Sequence, residues 1–331
     1  MTTPPPPGVL LPLRPFGRAL CAMVTPFTRS LELDLPAARK LAAHLIDNGC
    51  DGLVLNGTTG ESPTTSDEEK TELVRAVVEA VGDRASVVAG VGSASTAHTV
   101  ALARAAERAG ADGLLVVTPY YSRPPQAAVE AHFRTVADAT GLPVMLYDIP
   151  GRTGTRIEVE TMLRLADHER IVAVKDCAYD LLGSTTVIGR TSLAYYSGCE
   201  ELNLPLYAVG GAGYVSTVAN VAPREMRAVL DAYDAGATGE AARLNQLTTV
   251  LTELMMASGL PGTVTAKALL GHLPRAPLQP PTPPELARLR EAWDALSTSH
   301  GAPSRPGVSA RTSRPEVSAP ERSRSAAGRT G

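Results

Sequence analysis

The sequence predicts an α/β protein, a (β/α)8 TIM barrel with a C-terminal helical appendage. Three observations carry that prediction. Eight short apolar runs alternate with helical patterns between residues 19 and 236. Most of those runs are apolar at consecutive positions, as strands covered on both faces must be. No GxGxxG fingerprint follows the first run, which weakens the case for an open doubly wound sheet.

The expected strands are residues 19–25, 52–56, 86–91, 113–118, 143–148, 171–176, 193–197 and 213–218. Between them the apolar spacing changes to that of helices. In residues 36–48, Leu41, Leu45 and Ile46 share one face, and Asn48-Gly49 ends the helix. Ser66-Asp67-Glu68-Glu69 opens the next helix with an N-cap and an acidic first turn. Ala109-Gly110 and Thr140-Gly141 close later helices ahead of the fourth and fifth strands. Past residue 236 the strand pattern stops, and residues 237–258, 263–271 and 284–297 read as helices.

The expected organisation is therefore a flexible N-terminal extension over residues 1–16, a barrel over 17–236 and a helical region over 237–298 packed on the barrel. A disordered basic tail is expected over 299–331. The extension is rich in proline and lacks the pattern of a signal peptide. From residue 301 onward, six arginines stand against two glutamates, with almost nothing apolar to bury.

Composition excludes several classes of function. The 331 residues are 44% apolar and 20% charged, and the mean hydropathy is +0.00. No apolar run is long enough to span a membrane. A formal charge of −3 argues against nucleic acid as a partner. Cysteines at 21, 50, 177 and 199 and six dispersed histidines show no metal-ligand spacing, so no metal is expected. Scattered cysteines fit reduced thiols in a cytoplasmic protein. Of 31 basic residues only Lys40, Lys70, Lys175 and Lys267 are lysines, so a lysine in an apolar setting draws notice.

In such barrels chemistry sits at the C-terminal ends of the strands. There the sequence sets Gly57-Thr58-Thr59-Gly60-Glu61-Ser62, Thr118-Pro119-Tyr120-Tyr121, Tyr147-Asp148, Lys175-Asp176 and Ser197-Gly198. Lys175 closes the apolar run Ile171-Val172-Ala173-Val174, where an unpaired ammonium is costly. It either pairs with Asp176 or reaches solvent, or it is a desolvated amine ready to form a Schiff base. Tyr147 ends the adjacent strand and is either a proton carrier or a satisfied core tyrosine. Thr58 and Thr59 form either an anion cradle or a plain polar turn. Arg152, in Gly151-Arg152-Thr153-Gly154, either grips a carboxylate or is a surface cation. Tyr195 and Tyr196 read as packing residues.

Together these residues resemble the dihydrodipicolinate synthase / N-acetylneuraminate lyase family, the pyruvate-dependent class I aldolases. The matching segments are Ala22-Met23-Val24-Thr25-Pro26-Phe27, the Gly57 to Ser62 turn, residues 117–121, residues 147–154 and Val172-Ala173-Val174-Lys175-Asp176, with glycines 198 and 213 in register. The resemblance covers about residues 17–297. The closer match is to members that condense pyruvate with L-aspartate 4-semialdehyde, the first committed step of diaminopimelate and lysine synthesis.

That resemblance implies a covalent pyruvate imine on Lys175, without metal or organic cofactor. It implies a proton relay of Thr58, Tyr147 and Tyr121, with Tyr121 lent across a tight dimer interface of a homotetramer built from two dimers. Thr59 would hold the pyruvate carboxylate and Arg152 the semialdehyde carboxylate, and Gly198 and Val215 would line the substrate site. Cys199 and the stretch Cys177-Ala178-Tyr179-Asp180 depart from the family pattern. Pro63, Asp67, Lys70 and His98 replace the usual ligands of the lysine-feedback pocket, so L-lysine is expected to inhibit weakly or not at all. The alternatives are another pyruvate aldolase of the family, acting on a sugar acid or a specialised metabolite, and a non-catalytic barrel. An acceptor screen separates the first alternative, and borohydride trapping with pyruvate the second.

Overall fold

The computed structural model describes residues 13–256 and 259–300. Eight parallel strands form a closed barrel in sequence order. They are β1 (Ala19–Ala22), β2 (Gly52–Leu55), β3 (Ser86–Gly90), β4 (Gly113–Val117), β5 (Val144–Asp148), β6 (Ile171–Asp176), β7 (Ala194–Ser197) and β8 (Gly213–Ser216). Closure comes from β1, which pairs with both β2 and β8. Each strand lies inside its expected range. The first stops three residues early because the chain changes partners: Val24 N–H donates to the Asn220 side chain at 3.0 Å instead of continuing a ladder.

The helices are α1 (Leu35–Asp47), α2 (Asp67–Val81), α3 (Thr96–Arg108), α4 (Gln126–Asp138), α5 (Pro150–Thr153), α6 (Val159–Leu165), α7 (Leu181–Ile188), α8 (Asn203–Ala208), α9 (Pro223–Asp234), α10 (Thr238–Met256), α11 (Gly262–Leu270) and α12 (Pro283–His300). The expected cap of α2 is a full capping box. Ser66 accepts from Glu69 N–H, and the Glu69 carboxylate accepts from Ser66 N–H. The Gly-Arg-Thr-Gly segment, expected as a loop, contains the single helical turn α5. Pro150 starts it with a preset φ, and Gly154 at φ +71° ends it.

Period-two alternation sorts the strand side chains into two layers. Leu20, Ala22, Val54, Val88, Leu115, Met145, Ala173, Ala194 and Val215 fill the interior. Leu53, Val87, Leu114, Val144, Val174 and Tyr214 face outward against the helices. Tyr195 is buried in the outer layer and Tyr196 in the inner one, both as packing residues.

Phe16, the last residue of the expected N-terminal extension, is buried. Its ring enters the N-terminal end of the barrel, where a Cβ on Gly113 would lie 2.5 Å from it. Gly17, at φ +89°, turns the chain, and Tyr196 Oη donates to its carbonyl at 3.0 Å. Arg14 donates to Tyr207 Oη at 2.5 Å. An aromatic ring at the open base of a barrel removes more apolar area from water than a flexible extension could. The remaining extension, residues 1–12, and the basic tail beyond His300 lie outside the described residues.

Phe16→Ala should therefore lower the unfolding free energy by about 3–5 kcal/mol. Urea denaturation of the full-length protein would read this as an earlier midpoint with an unchanged slope.

Candidate active site

The same alternation that fills the barrel aims its last inward residues at the mouth. Tyr147 lies two residues after the interior Met145, and Lys175 two after the interior Ala173. In the ladder Tyr147 pairs with Lys175, and Lys175 with Tyr196. The Lys175 ammonium nitrogen sits 4.5 Å from the centre of the Tyr147 ring. Lys175 is only 6% exposed.

The Asp176 pairing considered for Lys175 does not occur. Neighbours on a strand point to opposite faces, and the Asp176 carboxylate instead accepts from Ser184 Oγ and from Ala178 N–H at 2.8 Å. Among the described residues Lys175 makes no ion pair. Burial pulls its amine below the ordinary lysine value, and the opposing influence of Cys177 and Glu200 does not overcome it. Burial also drives the Tyr147 phenol well above its ordinary value, with Cys177 adding to the rise. A hydrogen bond from Thr58 and the nearby charge of Arg152 pull it partly back. Tyr147 thus lies against Lys175 and shares a cavity wall with Thr58.

The remaining sequence-derived residues divide. Thr59 is buried, and its hydroxyl lies 3.0 Å from that of Thr217 after β8. Gly198 gives the Lys175 side chain its room: a Cβ there would stand 2.8 Å from Lys175 Cε. Val215 belongs to the same interior cluster as Tyr147. A cavity of about 450 Å³ opens over this end of the barrel, walled in part by Thr58, Tyr147 and Arg152. Tyr120 also lines it, but Tyr121 does not join the site within one chain. Tyr121 is 95% exposed and held at φ +74°. Pro63, Asp67, Lys70 and His98 line the outer part of the same cavity.

Two supporting groups escaped the sequence reading. Glu200 is buried after β7, and burial raises its carboxyl above the ordinary range. It accepts from Ser216 Oγ at 3.0 Å, Thr217 N–H at 2.6 Å and Val218 N–H at 3.0 Å, tying the ends of β7 and β8 together. No local pattern distinguishes it from the exposed Glu201 beside it.

The second group is an ion pair under the threonine turn. Glu61, at φ +57°, donates its N–H to Thr58 O at 3.1 Å. Its carboxylate pairs with Lys267 of α11 and accepts from Arg275 N–H at 2.8 Å. Lys267 has no exposed surface; it donates to Leu273 O at 3.0 Å and lies 3.9 Å from the Phe27 ring centre. Burial lowers its ammonium to about 8 despite the partner carboxylate. Thr25 Oγ1 donates to Gly60 O at 2.6 Å and holds the other side of the turn. The scarcity of lysines was the one available signal, but no pattern could pair residues 206 apart.

Removing one member of a buried pair strands the other. Lys267→Met should therefore destabilise the protein by about 3–5 kcal/mol, and adding Glu61→Gln should restore part of that loss. A double-mutant cycle by chemical denaturation would read the coupling directly; additive losses would contradict it.

Comparison with known proteins agrees with this geometry. Residues 15–298 match the model of the Dihydrodipicolinate synthetase family. The chain is 68% identical over 293 residues to 4-hydroxy-tetrahydrodipicolinate synthase 1 of Streptomyces coelicolor, covering 87% of this chain and 96% of that protein. Its fold is similar to a crystal structure of dihydrodipicolinate synthase from Bacillus anthracis, with TM-score 0.82 and 39% identity over 85% of this chain and 98% of that one. It is also similar to the chloride-inhibited dihydrodipicolinate synthase of Acinetobacter baumannii complexed with pyruvate. There the TM-score is 0.80 and the identity 32%, over 85% of this chain and 99% of that one. A closed eight-stranded barrel with an unpaired, buried lysine at its mouth, matched over nearly its whole described length, belongs to the Dihydrodipicolinate synthetase family.

Proposed function

We propose that this chain is a pyruvate-dependent class I lyase that condenses pyruvate with L-aspartate 4-semialdehyde, the 4-hydroxy-tetrahydrodipicolinate synthase reaction of lysine and diaminopimelate synthesis. The observation that carries the reading is the Lys175 amine, buried, free of any ion pair among the described residues, and set against the Tyr147 ring.

An uncharged amine has the lone pair needed to attack the carbonyl carbon of pyruvate. Loss of water gives an imine, whose positive nitrogen acidifies the adjacent methyl group. Loss of a proton from that methyl gives an enamine, whose carbon attacks the semialdehyde aldehyde. The amine of the adduct then attacks the imine carbon, closing the ring and releasing Lys175. Thr58 and Tyr147 carry protons through their hydrogen bond, with Tyr121 completing the relay. The exposure of Tyr121 suits a residue lent to a second copy, in a homotetramer of two tight dimers. Thr59 and the backbone N–H groups of its turn hold the pyruvate carboxylate. Arg152, on the cavity wall, receives the semialdehyde carboxylate, and Gly198 and Val215 shape the pocket. The route draws on no metal or organic cofactor. Four free cysteines and the absence of any helix among the described residues long and apolar enough to cross a membrane suit a cytoplasmic setting.

Borohydride reduction in the presence of pyruvate should add one reduced adduct at Lys175 and none to Lys175→Ala. Because burial lowers the amine's pKa, its reactive form is gained as pH rises through a value below the ordinary 10.5. The trapping rate should accordingly climb with pH and level off below 10.5. An adduct elsewhere, or a rate still climbing at that pH, would overturn the reading. An acceptor screen then distinguishes aspartate semialdehyde from other aldehydes.

L-Lysine at millimolar concentration should inhibit turnover weakly or not at all. Lys70 adds a positive charge to the outer cavity, in the company of Arg152, and repels a cationic amino acid. Strong inhibition in a steady-state assay would contradict this.

A further inference from the structure

Cys177 and Cys199 stand beside Lys175 and have no role in the chemistry above. Cys177 follows β6 directly, and its N–H donates to Asp148 O at 2.8 Å. Cys199 follows β7 by two residues, and its N–H donates to Ser197 Oγ at 3.3 Å. The strand ends lie side by side, joined by the bond from Gly198 N–H to Asp176 O at 2.9 Å. Both cysteines belong to the interior cluster that includes Tyr147, at 7% and 8% exposure. Gly198 leaves the space in which the sulfurs sit, since a Cβ there would lie 2.4 Å from Cys177 Sγ. The two thiols are near enough to shift each other's acidity, and Cys177 acts on the Tyr147 phenol in the same way.

The pair is asymmetric. The neighbouring Cys177 thiol holds the Cys199 thiol below its ordinary value, with the Tyr179 phenol helping and burial opposing. Cys199 and burial push Cys177 up. The thiolate is the nucleophile in thiol chemistry, which makes Cys199 the attacking sulfur and Cys177 the resolving one.

We propose that Cys177 and Cys199 form a redox-modification site that takes a hydroperoxide, with hydrogen peroxide the simplest. The Cys199 thiolate attacks one peroxide oxygen and the O–O bond breaks. The departing hydroxide takes a proton and leaves as water, and Cys199 becomes a sulfenic acid, oxidised by two electrons. Cys177 then loses its proton and attacks the sulfenic sulfur. The S–O bond breaks, and its hydroxyl leaves with that proton as a second water. Two thiols and one peroxide thus give one disulfide and two waters. Bonding brings the sulfurs to about 2.0 Å, which shifts them within the cluster they share with Tyr147 and beside the Lys175 side chain at Gly198. Displacements of about an ångström in such a site cost about a hundredfold in rate.

The test uses the full-length protein, a few equivalents of hydrogen peroxide, alkylation and tryptic mapping. A disulfide should join the peptide of residues 176–190 to that of residues 191–224. Turnover should fall about a hundredfold and return with dithiothreitol. Cys177→Ala and Cys199→Ala should each keep their own starting turnover through the same treatment. The cross-link is read by mass and stands or falls independently of the proposed reaction; if one variant does not fold, the other and the wild-type map decide. Cysteines that still alkylate, oxidation stopping at sulfinic acid, a link between Cys21 and Cys50 instead, unchanged turnover in cross-linked protein, or equal loss in the variants would overturn the proposal.

Discussion

Keeping water away from one amine is the constraint around which the mouth of this barrel is arranged. A lysine at the end of an exposed strand would be a hydrated ammonium. Here the inward position after Ala173 aims the chain into the barrel, the Tyr147 ring covers its end, and Gly198 removes the side chain that would occupy its path. The carboxylates nearest in sequence or space are otherwise engaged. Asp176 faces outward to Ser184, and Glu200 is saturated by hydroxyl and backbone donors. Desolvation therefore outweighs the opposing influence of Cys177 and Glu200 on Lys175, which makes no ion pair among the described residues.

The second requirement is a rigid turn to oppose that amine. Thr58 and Thr59 sit on a short connection, and such a segment is mobile unless something holds it. Three contacts do so: Thr25 after β1, Thr217 after β8, and the Glu61–Lys267 pair reaching in from the helical appendage. The appendage thereby acts on the site as well as covering apolar surface. A buried ion pair is a weak source of net stability, but its directionality locks one geometry. That suits an element whose position matters more than its contribution to folding.

One expected site residue stands apart from the others within the chain. Tyr121 is held at a positive φ, a conformation costing an aromatic residue about 1–3 kcal/mol, and points to solvent rather than into the cavity its neighbour Tyr120 lines. The dithiol beside Lys175 is the complementary case, since its members are internal and meet each other. Both share the interior cluster that contains Tyr147.

Much of this was legible in the residues alone, for physical reasons. Strands covered on both faces must be apolar throughout, so all eight could be located from composition. Ser66 and Glu69 announced their capping box because a cap is local. Lys175 and Tyr147 stood out because polar ends on apolar strands are costly unless used. What needed the tertiary structure was everything decided by distant partners. Phe16 looked like part of a flexible lead until the barrel base offered it a place. Lys175 could have paired with Asp176 until the strand faces separated them. Glu61 and Lys267, Cys177 and Cys199, and the buried Glu200 beside the exposed Glu201 carry no mark of their pairing in one dimension. Local propensity and burial are properties of a segment, whereas which charge meets which is a property of the closed barrel.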